Sequence, residues 1–203
     1  MINPFYNPAE EKQITRSKLP HWSQHGKLHF VTFRLSDSIP QHRLEQIQRE
    51  RLEWKKNHPL PYTDEQWHEY QSLFSSRIDE WLNAGRGECL LARPEYADIV
   101  REALLYYEGQ RYYLDYWVIM PNHVHVLLMP LAPYALKGLL HSWKSYTANR
   151  FMKLDGRKRQ IWQHESFDHI VRSPAQLNRF RKYIVDNHNQ SGGKSILSDK
   201  AII

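Results

Sequence analysis

The chain has 203 residues, with 28 Lys and Arg against 22 Asp and Glu, and carries +6 when its 12 histidines are neutral. That length suits one domain with an elaboration, and the single cysteine, Cys89, excludes an internal disulfide or a cysteine metal cage. No apolar run approaches the ~18–20 residues of a membrane helix, and residues 1–20 are polar with no apolar signal core, so a soluble intracellular protein is the expectation.

Residues 1–26 read as irregular, broken by Pro4, Pro8, Pro20 and Gly26. His21, Trp22 and His25 stand just before the first core strand, placed either to touch substrate or to pack its entry. Leu28 to Leu35 alternates as a strand, with Val31, Phe33 and Leu35 on one face and Phe30, Thr32 and Arg34 on the other. For Arg34 a structural salt bridge is the first expectation and a phosphate the second.

Residues 36–84 read as a mostly helical insertion. Pro40 opens a helix through Leu44, Ile47 and Trp54, and His58-Pro59-Leu60-Pro61 breaks it. Thr63-Asp64-Glu65-Gln66 is a capping box, followed at helical spacing by Trp67, Tyr70, Phe74, Ile78 and Trp81, a stripe that reads as core. Glu88 to Leu91 reads as a short edge strand, and Pro94 opens a helix that Gly109 closes.

Arg111 to Ile119 is a strand, and Pro121-Asn122 turns it into a second strand that starts at His123. So short a link makes the two strands antiparallel neighbours. With a side-chain period of 2, His123 and His125 point to one face, about 6–7 Å apart along the strand, and can converge on one metal ion. A helix from about Tyr134 to Leu154 follows, with Leu136, Leu140, Trp143, Thr147 and Leu154 as its buried stripe and Tyr146 at the edge. Asn149 and Arg150 share the Tyr146 side of that helix. After a basic loop, 155–159, and a block around Trp162, Ser173 caps a last helix carrying Leu177, Phe180 and Ile184. The tail from Asn187 reads as polar and loose.

Strands separated by helices around an antiparallel hairpin predict an α+β domain: one antiparallel sheet, helices on one face, and an open face carrying His123 and His125. Charge is concentrated late. From Lys137 to Lys182 eleven Lys and Arg face three acids, a balance of +8, which leaves −2 for the rest of the chain. That block, interleaved with Trp143, Phe151 and Trp162, points to a polyanion such as nucleic acid.

Four stretches carry a family resemblance: Val31-Thr32-Phe33-Arg34-Leu35, Met120-Pro121-Asn122-His123-Val124-His125, Trp143-Lys144-Ser145-Tyr146-Thr147-Ala148, and Trp162-Gln163-His164-Glu165-Ser166-Phe167-Asp168-His169. In this order the chain resembles the HUH single-tyrosine transposases, most closely the REP-associated tyrosine transposases of bacteria. The resemblance implies a ferredoxin-like palm, with His123 and His125 as ligands of Mg²⁺ or Mn²⁺ and Tyr146 as nucleophile. A third ligand is expected about one turn after the tyrosine. Arg150 at that position cannot ligate, so Asn149 is the nearest candidate, with Glu165 and Asp168 as alternatives. The implied reaction is cleavage and rejoining of single-stranded DNA near a hairpin, through a 5′-phosphotyrosine that keeps the phosphodiester energy. It implies a monomer or homodimer working in the bacterial cytoplasm at the nucleoid. Lys144, Arg150, Arg157, Lys158, Arg159, Trp162 and Arg172 are the expected DNA contacts. Where that family usually has an Asn-Pro motif after the last helix, this chain reads Asp186-Asn187-His188-Asn189.

Two other classes compete. A non-catalytic nucleic-acid-binding protein on a ferredoxin-like sheet explains the charge but not the paired histidines. A metal-dependent hydrolase is expected to add an Asp soon after the His-x-His, where this chain has Leu127 and Leu128.

Overall fold

The computed structural model describes residues 3–10, 13–16, 20–24, 26–59, 62–156, 158–198 and 200–201, without the side chains of 13–16, 20–23, 64, 67, 68 and 71. Strands β1 (Gln13–Arg16) and β2 (Pro20–Ser23) pair as a separate ribbon. The main sheet is built from β3 (His29–Arg34), β4 (Tyr112–Ile119), β5 (His123–Pro130), β6 (Phe167–Ile170) and β7 (Ile196–Ser198) in the order β6-β3-β5-β4-β7, antiparallel at every junction. Its α+β class is the one expected. No helix among the described residues is long and apolar enough to cross a membrane.

Helices α4 (Pro94–Leu105) and α5 (Leu136–Asp155) cover one sheet face. Their buried stripes meet Val31, Phe33, Leu114, Ile119, Val124, Val126 and Leu128. The opposite face, expected to be open, is covered by α6 (Pro174–Gln190). The reason is a second apolar stripe. Leu177 and Ile184, with half-buried Phe180 and Tyr183, are buried against Leu28, Phe30, Val118, Met120 and Leu127. Leu177 and Ile184 contribute about 1.5–3 kcal/mol each by leaving water, and Arg181 forks onto the fully buried Asp115 at 2.9 and 2.6 Å. Ser173 caps this helix by accepting from the Gln176 amide at 3.2 Å.

Between β3 and α4 the chain forms α1 (Gln41–Asn57), α2 (Asp64–Tyr70), a π-helical stretch (Gln71–Ser75) and α3 (Ser76–Asn83). The capping box forms in both directions, Thr63 N–H to Gln66 Oε1 at 3.0 Å and Gln66 N–H to Thr63 Oγ1 at 3.2 Å. Trp54, Tyr70 and Phe74 make a small aromatic core of their own. The strand expected at Glu88–Leu91 is instead a 3₁₀ turn, Leu90–Ala92, entered through Cys89 at φ 51°. The tail expected to be loose is also structured: α6 continues through Gln190, and β7 adds to the edge of β4.

Candidate active site

Cross-strand register sets the site. Arg34 lies opposite His123, and Thr32 opposite His125. Both imidazoles are buried, at 1% and 0% exposure. Their Nε2 atoms meet at 3.0 Å, and the outer nitrogens are each held, His123 Nδ1 by Asn122 Oδ1 at 2.7 Å and His125 Nδ1 by Thr32 Oγ1 at 2.8 Å. An Asn carbonyl oxygen can only accept, so His123 Nδ1 carries the proton and its Nε2 is a lone pair. Burial, with Arg34 beside His123 and His123 beside His125, holds both rings well below the ordinary histidine range, so both are neutral at physiological pH.

Two neutral Nε2 atoms facing each other, each oriented by a partner behind it, are a donor pair of the kind metal sites use. Helix α6 carries an unpartnered buried oxygen one turn beyond the tyrosine that meets His125. Asn187 is 3% exposed; its amide N–H donates to the Tyr183 carbonyl at 2.8 Å, and its Oδ1 is buried with no hydrogen-bond partner. Among the described residues no group of three His, Cys, Asp and Glu could hold a metal. Two imidazoles and an amide oxygen are donors of the kind a divalent cation takes while keeping open positions for other ligands.

The tyrosine brought to this pair is Tyr183, one turn before Asn187 on the same side of α6. Its ring stands edge-on to His125 at 5.0 Å between centroids. Phe30 stacks on both His125 and Phe180, completing the wall. The Tyr183 hydroxyl is buried without a partner of standard hydrogen-bond geometry, and the Asp79 carboxyl and the Asn187 side chain lie beside it. Burial first, and then the Asp79 charge, push the phenol well above its ordinary range. Asp79 itself is pushed up to about 7 by burial, with Glu80 adding and the Tyr183 hydroxyl opposing.

Arg34 donates to Ser38 Oγ at 3.0 Å, and no carboxylate pairs with it among the described residues. The structural salt bridge expected for it is therefore not seen there. Burial lowers its guanidinium to about 10, which leaves it charged at neutral pH beside His123. A cleft of about 410 Å³ opens next to His123, lined also by Asn122, Met120, Leu82, Gln190 and Lys194.

The other expected site residues lie elsewhere. Tyr146 is 42% exposed on α5, which packs on the opposite sheet face, and its hydroxyl accepts from Arg150 at 2.7 Å. Asn149 is exposed on the same helix. Asp168 pairs in register with Val31, so the pleat points it to the α5 face. Glu165 and Asp168 line a second cleft, about 540 Å³, with Lys144, His141 and Arg159. Trp162 is 5% exposed and its indole N–H donates to Thr147 Oγ1 at 2.8 Å, so it has no free face on which a base can stack; Trp143 and Phe151 are buried likewise. Lys144 donates to Gln163 O, His164 O and Ser166 Oγ, and burial lowers it to about 8. Arg159 pairs with Glu88 and Asp155. Lys158, Arg150 and Arg172 are exposed. Arg157 and His25, and the side chains of His21, Trp22 and Trp67, lie outside the described residues.

No family model matches this chain, and no curated protein does. Among solved structures, one similar chain is that of a REP-associated tyrosine transposase bound to a REP hairpin. The identity is 14%, over 88% of this chain and 76% of that chain, with a TM-score of 0.43.

Proposed function

We propose that this chain is a metal-assisted DNA strand transferase that cleaves and rejoins single-stranded DNA beside a hairpin through a 5′-phosphotyrosine. Tyr183 is its nucleophile, in place of Tyr146. The reaction class rests on the motifs that resemble the HUH transposases; the residue roles rest on the geometry. The observation that carries the reading is the convergence of three features in one buried place: a neutral, pre-oriented histidine pair, an orphaned amide oxygen at Asn187, and a buried tyrosine hydroxyl one helical turn away.

His123, His125 and Asn187 would hold the divalent cation, Mg²⁺ or Mn²⁺. When bound, that ion polarises a phosphoryl group and orients it for in-line attack. Arg34, charged and free of a carboxylate partner among the described residues, holds the phosphate on the His123 side. Phe30 and Phe180 fix the ring planes and keep water from the phenol. Tyr183 Oη attacks phosphorus and the P–O bond to the 3′ oxygen breaks. The tyrosyl ester that forms conserves the energy needed to rejoin strands. A simple hydrolase would use water as nucleophile and has no need of a tyrosine against the histidine pair, which favours the transferase.

The test is single-turnover cleavage of a hairpin-bearing single strand with Mn²⁺. Tyr183→Phe abolishes cleavage and retains DNA binding, whereas Tyr146→Phe cleaves at the wild-type rate. The opposite pattern returns the role to Tyr146 and rejects this assignment.

A further inference from the structure

We infer that the cleft beside His123 seats one nucleobase of the bound single strand, with the Asn83 and Gln190 amides reading the base edge and Lys194 holding the nucleotide's phosphate. This inference rests on the reading of single-stranded DNA as the substrate. The cleft opens at His123, so the nucleotide it takes is next to the phosphate held at the histidine pair. Its volume, about 410 Å³, lies within the roughly 300–1,000 Å³ of small-molecule sites.

The lining has the three parts a nucleotide needs. Leu82, Ala92, Met120 and Pro121 are apolar walls against which a planar base can lie. Asn83 and Gln190 each bring an amide, a donor beside an acceptor, the arrangement that reads a base edge through paired hydrogen bonds. Both side chains are exposed, and neither amide is hydrogen-bonded to protein among the described residues. Lys194 is the one charged side chain among the described residues that line the cleft, His123 being neutral, so the mouth favours an anion.

These groups are held from both sides. Asn122, in the turn that leads into His123, donates to Leu82 O at 3.2 Å and to Arg86 O at 3.0 Å. Those two bonds fasten the end of α3, and Asn83 with it, to the histidine turn. On the other side Gln190 is the last residue of α6. The turn that follows is closed by Ser191 Oγ, which donates to His188 O at 2.7 Å, and by Ser195 Oγ, 2.7 Å from Ser191 Oγ and 2.8 Å from His188 Nδ1. Gly192 and Gly193, at φ 61° and 81°, allow the chain to reverse there. Two residues after Lys194 the chain enters β7 and pairs with β4, so the lysine is anchored at both ends.

Cys89 lines the same cleft and is the chain's single cysteine, so its alkylation reports occupancy without background. The test measures Cys89 labelling by N-ethylmaleimide in the Tyr183→Phe protein with Mn²⁺, alone and with a hairpin-bearing single strand. A strand at about ten times its Kd is expected to slow labelling about tenfold, since only the free fraction reacts. An abasic residue walked through the single-stranded flank is expected to restore the rate at one position. Unchanged labelling overturns the inference, as does protection that every abasic strand retains. The base at the position so found is then varied in single-turnover cleavage by wild type. Discrimination among the four bases is expected to be about tenfold or more, the scale of one bidentate contact. Asn83→Ala together with Gln190→Ala should reduce it to within about threefold, whereas Lys194→Ala should weaken binding of all four strands alike, because a phosphate carries no sequence information. Discrimination that survives the double variant overturns the inference. Protection of Cys89 with no cleavage by wild type would leave the base seat standing and sink the strand-transferase reading; cleavage without protection does the reverse, so the two failures are told apart.

Discussion

Asp79→Asn should make the protein more stable at alkaline pH. In the folded chain the Asp79 carboxyl titrates at about 7, against an ordinary 3.8. Its folded pKa is raised, so between those values the folded state holds a proton that the unfolded state has released. Stability from this group is therefore full below pH 4, falls as pH rises toward 7, and stays low above it. A shift of about 3 pH units at 1.36 kcal/mol each sets the cost at up to about 4 kcal/mol at pH 8. The groups that act on this carboxyl are Tyr183 from α6 and Glu80 on its own helix; neither supplies a compensating positive charge. The buried histidines pull the opposite way, since neutral rings cost stability as pH falls below their unfolded value near 6.5. Subtracting wild type from Asp79→Asn cancels them. Urea denaturation in a chelating buffer, from pH 4 to 8.5, reads the difference. It should be near zero at pH 4, grow through pH 5–7, and favour the variant by up to about 4 kcal/mol at pH 8. A difference that stays flat with pH, or a variant less stable at pH 8, refutes the raised carboxyl pKa, which arises at a half-buried side chain.

His125→Ala should lose Mn²⁺ affinity in calorimetry and destabilise the fold by roughly 2–3 kcal/mol, because the ring is fully buried and its loss strands Thr32 Oγ1; unchanged metal binding would make the pair structural. Asn187→Leu should weaken Mn²⁺ binding by about 10–100-fold and leave apo stability equal or higher by about 1 kcal/mol, since it removes an unpaired buried oxygen; intact metal affinity would remove it from the ligand set. In a salt titration of single-strand binding, Lys158→Ala and Arg172→Ala together should flatten the slope of log K against log salt by up to about 1.4 units, about 0.7 for each phosphate no longer neutralised. Arg181→Ala, whose charge is spent on Asp115, should leave the slope as it is; the reverse pattern would place the DNA path along α6.

Periodicity carries most of the fold. The β4–β5 hairpin, α4, α5, the Thr63 capping box and the Ser173 cap are all readable from spacing and cap residues. The covering of the histidine face is harder to read. Leu177, Phe180 and Ile184 declare that α6 has an apolar side, but which sheet face it covers is a tertiary matter that periodicity does not encode. The histidine pair is legible because period 2 alone puts His123 and His125 together. Sequence points to Tyr146 rather than to the proposed Tyr183, because twelve tyrosines are available and Tyr146 sits in the more conspicuous motif. A signal is present, however. A ligand one turn after the tyrosine is impossible at Arg150 but chemically open to Asn187, four residues after Tyr183. The basic block misleads for a different reason. Trp143, Phe151 and Trp162 lie among charges in sequence yet inside the core in space, and Lys144, Arg159 and Arg181 are engaged by protein partners. Asp79 cannot be found in sequence, since its proximity to Tyr183 spans the whole insertion and sheet.

In the proposed reaction Tyr183 performs the chemistry beside His123 and His125. Its most direct test is to trap the covalent product of wild-type protein with a hairpin-bearing single strand and Mn²⁺, digest it, and sequence the DNA-linked peptide. The 5′-phosphotyrosyl adduct is expected on Tyr183. An adduct on Tyr146 or on any other tyrosine, or free 5′-phosphate product with no covalent species at any time, contradicts it.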